Sequence, residues 1–191
     1  MRQANLAGLL ATAAQFTLIN SAPSSKTTFD FDVQTQLYPE TQLSLKALTQ
    51  GKVSIFVNVA SEWGLATDNY AQLNQLLNKY TDLVVIAQPC NQFSGQEPLS
   101  GKALYDHIYE KWSPVDRFYF LKKADVNGDD ATAIYEFLKN HKNNTSAFSP
   151  NFIMWNYEKF LVGKDGVPVE RWRSYSKPLE MEGEIRRALG L

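Results

Sequence analysis

With 191 residues, 44% of them hydrophobic, and a formal charge of -1 from 19 Lys plus Arg against 20 Asp plus Glu, the chain has the size and apolar content of one globular domain. The balanced charge leaves no basic surface to draw nucleic acid or an anionic membrane as a partner. A single cysteine, Cys90, excludes an intramolecular disulfide and a cysteine-based zinc site, and His107 and His141 stand without metal-ligand spacing.

The chain opens on MRQANLAGLLATAAQFTLINSAPSS, with Arg2, an apolar run from Leu6 to Ile19 interrupted by Gln15, and small residues before Pro23. That is the layout of a secretory signal peptide, although a disordered or transit-type extension shares it. Residues 1–27 therefore stand apart from a domain of residues 28–191, and the address is the secretory pathway or, on the other reading, cytoplasmic or organellar. No stretch is long and apolar enough to remain as a membrane-spanning helix. The overlapping sequons in Asn143-Asn144-Thr145-Ser146 would accept glycans in a secreted protein.

Phe29, Phe31 and Val33 alternate with polar residues, which predicts a half-buried strand. VSIFVNVA from Val53 and LVVIA from Leu83 are nearly all apolar and read as strands covered on both faces. Between them Tyr70, Leu73, Leu77 and Tyr80 fall at helical spacing, giving a strand–helix–strand unit with parallel strands. After Cys90 a polar loop leads into a helix around Ala103 to Lys111, and a second helix is expected around Asp130 to Lys139. Two apolar runs joined by Lys164-Asp165-Gly166 read as an antiparallel hairpin, because Asp-Gly supplies the positive φ that a tight turn needs. Met181 to Leu189 is amphipathic and should dock Ile185 and Leu189 on the sheet. The sum is an α/β fold with a mixed central sheet and helices on both faces.

The strand–helix junction VNVASEWG places Trp63 where unpaired helix N–H groups favour an anionic side chain. Tryptophan has one N–H donor and nothing that ionises near neutral pH. The blocks VNVASEWG, PCNQFSGQEP, DVNGDDA and WNYEKFLVGKDG, in this order over residues 28 to 190, resemble the glutathione peroxidase family. The short connection between Leu138 and Trp155 is similar to that of the monomeric, phospholipid-hydroperoxide branch. The resemblance implies a thioredoxin-like fold, no resident cofactor, and reduction of hydroperoxides by a selenocysteine or cysteine with glutathione or another thiol as co-substrate. It puts the nucleophile on position 63 and carries Gln96, Trp155 and Asn156 over as its partners. An amide, an indole N–H and a second amide would supply donors for an anionic chalcogen and for the oxygen anion released when the O–O bond breaks. On the residues alone, Trp155 and Asn156 read rather as a core aromatic and a capping or turn amide.

Three readings of the substituted position stay open. Selenocysteine is encoded by UGA, one third-position change from the UGG of tryptophan, so a translated sequence can print Trp where the protein carries selenocysteine; intact Gln96, Trp155 and Asn156 favour this. Gln88, Met154 and Leu99 depart from the family pattern and favour an inactive member with a binding or regulatory role. Cys90, in a position where the family carries a cysteine beside its nucleophile, reads as a small buried residue and only weakly as a nucleophile. Lys111 lies roughly where cysteine-type members carry a resolving cysteine, so an internal disulfide relay has no donor. Lys102, Lys164 and Arg171 could meet glutathione carboxylates or lipid phosphates, and read equally as solvated charges.

Overall fold

The computed structural model describes residues 26–144 and 151–191. The leader reading lies outside the described residues apart from Lys26 and Thr27, and so do Thr145 and Ser146 of the sequons. Asn144 is buried and donates its Nδ2 to the Leu138 carbonyl at 2.7 Å, so its amide is closed to a glycan in the folded chain.

A five-stranded sheet carries the fold. Its centre is β3 (Val53–Val59), paired in parallel with β4 (Leu83–Pro89), which is parallel in turn to the short β5 (Phe118–Phe120). On the other side of β3, β6 (Lys159–Val162) and β7 (Pro168–Trp172) run antiparallel as the expected hairpin. The hairpin turn holds Gly166 at φ +79, where a Cβ would also press on the Phe29 ring at 3.0 Å. Every residue of β3 and β4 is buried, as expected for near-continuous apolar strands covered on both faces.

Each face has its own core. On one, α2 (Ala66–Lys79) buries Tyr70, Leu73, Leu76 and Leu77 against Val53, Ile55, Val57 and Val59, together with Leu104 and Ile108 of α3 (Gly101–Trp112) and Ile185 and Leu189 of α5 (Glu182–Leu189). On the other, α1 (Leu45–Thr49) and α4 (Ala133–Asn140) bury Leu45, Ile134, Tyr135 and Leu138 against Phe56, Val84, Ile86, Phe160 and Val162. A mixed sheet with helices on both faces is thus the observed architecture.

One expected strand is absent. Thr28–Phe31 is a short 3-10 turn closed by a capping box, in which the Thr27 hydroxyl accepts from the Phe29 amide and the Asp30 carboxylate accepts from the Thr27 amide. Only Val33–Thr35 is extended (β1), and it pairs antiparallel with β2 (Gln42–Ser44) in a separate two-stranded ribbon. Local hydrogen bonding by Thr27 and Asp30 overrides the apolar alternation. Helix α4 likewise starts at Ala133 rather than near Asp130. Among the described residues no helix is long and apolar enough to cross a membrane.

Candidate functional site

Strand β3 ends at Val59, and residues 60–65 turn into the N-terminus of α2. Trp63 lies in this turn; its amide reaches the Ala60 carbonyl at 3.4 Å and its carbonyl accepts from the Ala66 amide at 2.9 Å. The indole is 8% exposed. It stacks on Tyr157 with ring centroids 5.1 Å apart and meets the edge of Tyr175 at 6.0 Å. Tyr175 is itself 76% exposed, so Trp63 lies between a buried tyrosine and one that faces solvent. Tyr157 is held in the left-handed region (φ 58), with its amide donating to the Asn58 carbonyl at 2.7 Å and its hydroxyl to the Ala60 carbonyl at 3.2 Å.

Asn58 is one of two polar residues, with Ser54, in the buried strand β3, and it fixes the segment Trp155–Glu158. Its Nδ2 donates to the Trp155 carbonyl at 2.9 Å, and its Oδ1 accepts from the Glu158 amide at 2.9 Å. Asn156 is thereby fully buried, and its Nδ2 donates to Gln96 Oε1 at 2.7 Å. The Oδ1 of Asn156 has no partner among the described residues. The Gln96 carbonyl accepts from the Glu62 amide at 3.0 Å, which seats the Gln96 loop against the turn of residue 63. Trp155 packs on Phe93 at 6.0 Å between ring centroids. Of the four residues singled out from the sequence, Gln96 and Asn156 therefore touch through their side chains, and the backbone of 62 binds that of 96. The Trp63 ring instead turns to two tyrosines that sequence reasoning did not single out.

Other residues in the site were also missed. Glu97 is fully buried; one carboxylate oxygen accepts from the Ser61 amide at 2.9 Å and the other from the Ser61 hydroxyl at 2.8 Å. Burial pushes its carboxyl up to about 7. Glu158 accepts from Arg171 Nε at 2.9 Å and from the Met154 amide at 2.7 Å, with both members of the pair buried. That corrects the reading of Arg171 as a surface charge or anion contact. Lys102 pairs with Asp106 on α3, and Lys164 donates to the Leu189 carbonyl, so the three cations are each engaged within the fold. Lys111, in the last turn of α3, lies over the Trp112 ring at 4.7 Å.

Cys90 follows β4, fully buried in the core on the face opposite Trp63. Burial pushes its thiol up to about 11, far from the thiolate that a nucleophile must supply. Among the described residues no group of three or more His, Cys, Asp or Glu could hold a metal ion.

The glutathione peroxidase family model matches residues 29–139. A probable phospholipid hydroperoxide glutathione peroxidase of Nicotiana sylvestris is 39% identical over 165 residues, covering 85% of this chain and 93% of that protein. Among solved structures, the crystal structure of T. cruzi GPX1 superposes with a TM-score of 0.68 at 30% identity, covering 86% of this chain and 97% of the other. A putative thioredoxin from Neisseria meningitidis aligns with a TM-score of 0.54 at 15% identity, over 82% of this chain and 85% of its own, which speaks for the thioredoxin-like fold alone.

Proposed function

The chain belongs to the glutathione peroxidase family, and from that premise we propose that it reduces hydrogen peroxide and organic hydroperoxides at residue 63, read as selenocysteine, with glutathione or another thiol as reductant. The observation that carries this reading is the Gln96–Asn156 pair. Asn156 is fully buried, gives its Nδ2 to Gln96 and leaves its Oδ1 unpaired. An unsatisfied buried polar atom costs about 1–3 kcal/mol, and an apolar side chain would remove that cost. Because Asn156 donates to Gln96 Oε1, the Gln96 NH2 is left to donate elsewhere, and the bond from the Glu62 amide to the Gln96 carbonyl brings the Gln96 loop beside the turn of residue 63, where that donor would serve a developing anion.

In the reaction the selenolate attacks one peroxide oxygen, the O–O bond breaks, and the departing oxygen takes a proton and leaves as water or alcohol. Residue 63 is then a selenenic acid. A first thiol displaces water from it to form a selenenyl sulfide. A second thiol attacks the sulfur of that bond, releasing the disulfide and the selenolate. Gln96, Asn156 and the Trp155 indole would stabilise the selenolate and the departing oxygen, and the amides at the start of α2 would favour the anion. With Trp63 replaced by this smaller group, the space between Tyr157 and Tyr175 opens for the peroxide. Both reducing thiols come from outside the chain, since Cys90 lies on the opposite face of the sheet.

A second reading has its own support. The Trp63 indole is seated on Tyr157 with little exposure, as a side chain that fills the cleft of an inactive, partner-binding member would be. A coupled assay with glutathione and an organic hydroperoxide separates the two. The protein as printed should show no activity above the no-enzyme control, and Trp63→Cys should restore part of it. A folded Trp63→Cys protein without activity would favour the inactive reading, and activity of the printed protein that disappears with Cys90→Ser would make Cys90 the nucleophile.

A further inference from the structure

We infer that Glu97 is a positioning residue of the peroxide site, holding the turn that carries residue 63 against the Gln96 amide; this rests on residue 63 being the nucleophile position. Backbone and aromatic contacts hold the two ends of the turn, with the Tyr157 hydroxyl donating to the Ala60 carbonyl and the Ala66 amide to the Trp63 carbonyl. Helix α2 has Leu65 at its N-cap, which gives no side-chain cap, and the bond from the Trp63 amide to the Ala60 carbonyl is long, at 3.4 Å. Ser61, in the middle of the turn, is held from across the chain, where the Glu97 carboxylate accepts from both its amide and its hydroxyl. The adjacent Gln96 carbonyl takes the Glu62 amide, and the Gln96 side chain takes Asn156. One dipeptide, Gln96-Glu97, therefore binds the turn through the Gln96 carbonyl and the Glu97 carboxylate and carries the amide that Asn156 engages.

The dipeptide is held in its turn. The Glu97 amide donates to Asn91 Oδ1 at 2.9 Å, and Lys123 Nζ donates to the carbonyls of Glu97 and Leu99 at 3.0 and 2.9 Å. A fully buried carboxylate is costly unless hydrogen-bonded, and here both of its oxygens are used on a single residue two positions before 63. Lys123 and Glu62 are the charged groups that act on it, and the hydroxyls of Tyr70 and Tyr157 feel its charge. Burial brings Glu97 to about 7, and it also brings Lys159, which follows Glu158 and donates to the Ser174 and Ser176 carbonyls, down to about 7, so the share of the site's pH profile that belongs to Glu97 is the part that Glu97→Gln removes.

The test uses the full chain with Trp63→Cys as parent, measuring the rate at which the thiol introduced at position 63 reacts with hydrogen peroxide and, separately, with iodoacetamide across pH. Alkylation needs only a thiolate, whereas peroxide reduction also needs the thiolate placed against its donors. Glu97→Ala should slow the peroxide reaction by ~10-fold or more, in line with the sensitivity of oriented reactions to small displacements, and leave alkylation at high pH nearly unchanged. Glu97→Gln should recover most of the rate, because an amide can accept from the Ser61 amide and donate to its hydroxyl. The inflection near pH 7 that Glu97 contributes should vanish in that variant. Should Glu97→Ala not fold, Ser61→Ala removes one of the two bonds and should slow the peroxide reaction alone. An unchanged peroxide rate in the folded Ala variants, or a Gln variant as slow as Ala, would overturn the inference. A parent that reacts with peroxide no faster than free cysteine would instead overturn the reading of residue 63 on which it rests.

Discussion

Replacing Arg171→Met should be among the most damaging single changes to the segment that carries Trp155 and Asn156. Arg171 Nε and Nη2 both bind Glu158 Oε2, and Nη2 also donates to the Phe152 carbonyl at 2.7 Å. Glu158 is fully buried and Arg171 is 3% exposed, so removing the guanidinium strands a carboxylate inside the protein. Breaking a buried pair from one side costs about 3–5 kcal/mol. Arg173, whose Nη1 lies 3.7 Å from the other carboxylate oxygen, offsets part of this, which places the expected loss near ~3 kcal/mol. The double change Arg171→Met with Glu158→Gln should recover much of it, because the neutral amide can still accept from the Met154 amide. Urea titration followed by far-UV circular dichroism on the four proteins of the cycle gives these numbers, with an unchanged m-value confirming that the same surface is exposed. A single-variant loss below ~1 kcal/mol, or a double variant as costly as the sum of the singles, would refute the reasoning.

Three further outcomes follow from the same structure. Glu97 has a folded pKa of about 7, raised from 4.5, so the folded state keeps a proton that the unfolded chain has lost between those values. Stability should therefore fall as pH rises from about 4.5 to about 7, by on the order of 2–3 kcal/mol, and urea titrations of Glu97→Gln should lack that decline. Cys90 should resist a thiol-specific disulfide reagent in the native protein at pH 7.5 and react as one thiol in urea; rapid native reaction would contradict its burial. Light scattering on the purified protein should give a monomer, the expectation drawn from the short connection before Trp155, and a stable tetramer would contradict it.

Much of the sheet was legible because its strands are self-evident as buried runs. Val53–Val59 and Leu83–Pro89 carry too little polar surface to face water, and the Asp165-Gly166 pair marks its own turn. Phe118–Phe120 gave no comparable signal, since three residues cannot display a period. The 3-10 turn at Thr28–Phe31 hid behind an apolar alternation, although Thr27 and Asp30 do spell its capping box. At the site, the motif residues could be named by resemblance, but their contacts could not. Glu97 reads as one more charge in a polar loop until the fold brings Ser61 to it from 36 positions away. Tyr175 lies in a loop with no periodicity, and only the tertiary structure sets its ring against Trp63. Asn58, a buried amide inside a strand, was a polar signal that could have pointed to the anchoring of Trp155 and Glu158.

Whether residue 63 is a chalcogen nucleophile is tested most directly by the intact mass of the protein purified from its natural source, after alkylation under reducing conditions. The account predicts a chain lighter at position 63 than the printed sequence before the label, carrying the isotope pattern of selenium, with the alkyl group mapped to the peptide that begins the helix Ala66–Lys79 or the turn before it. A mass that matches tryptophan, with no selenium and no label at residue 63, would contradict it.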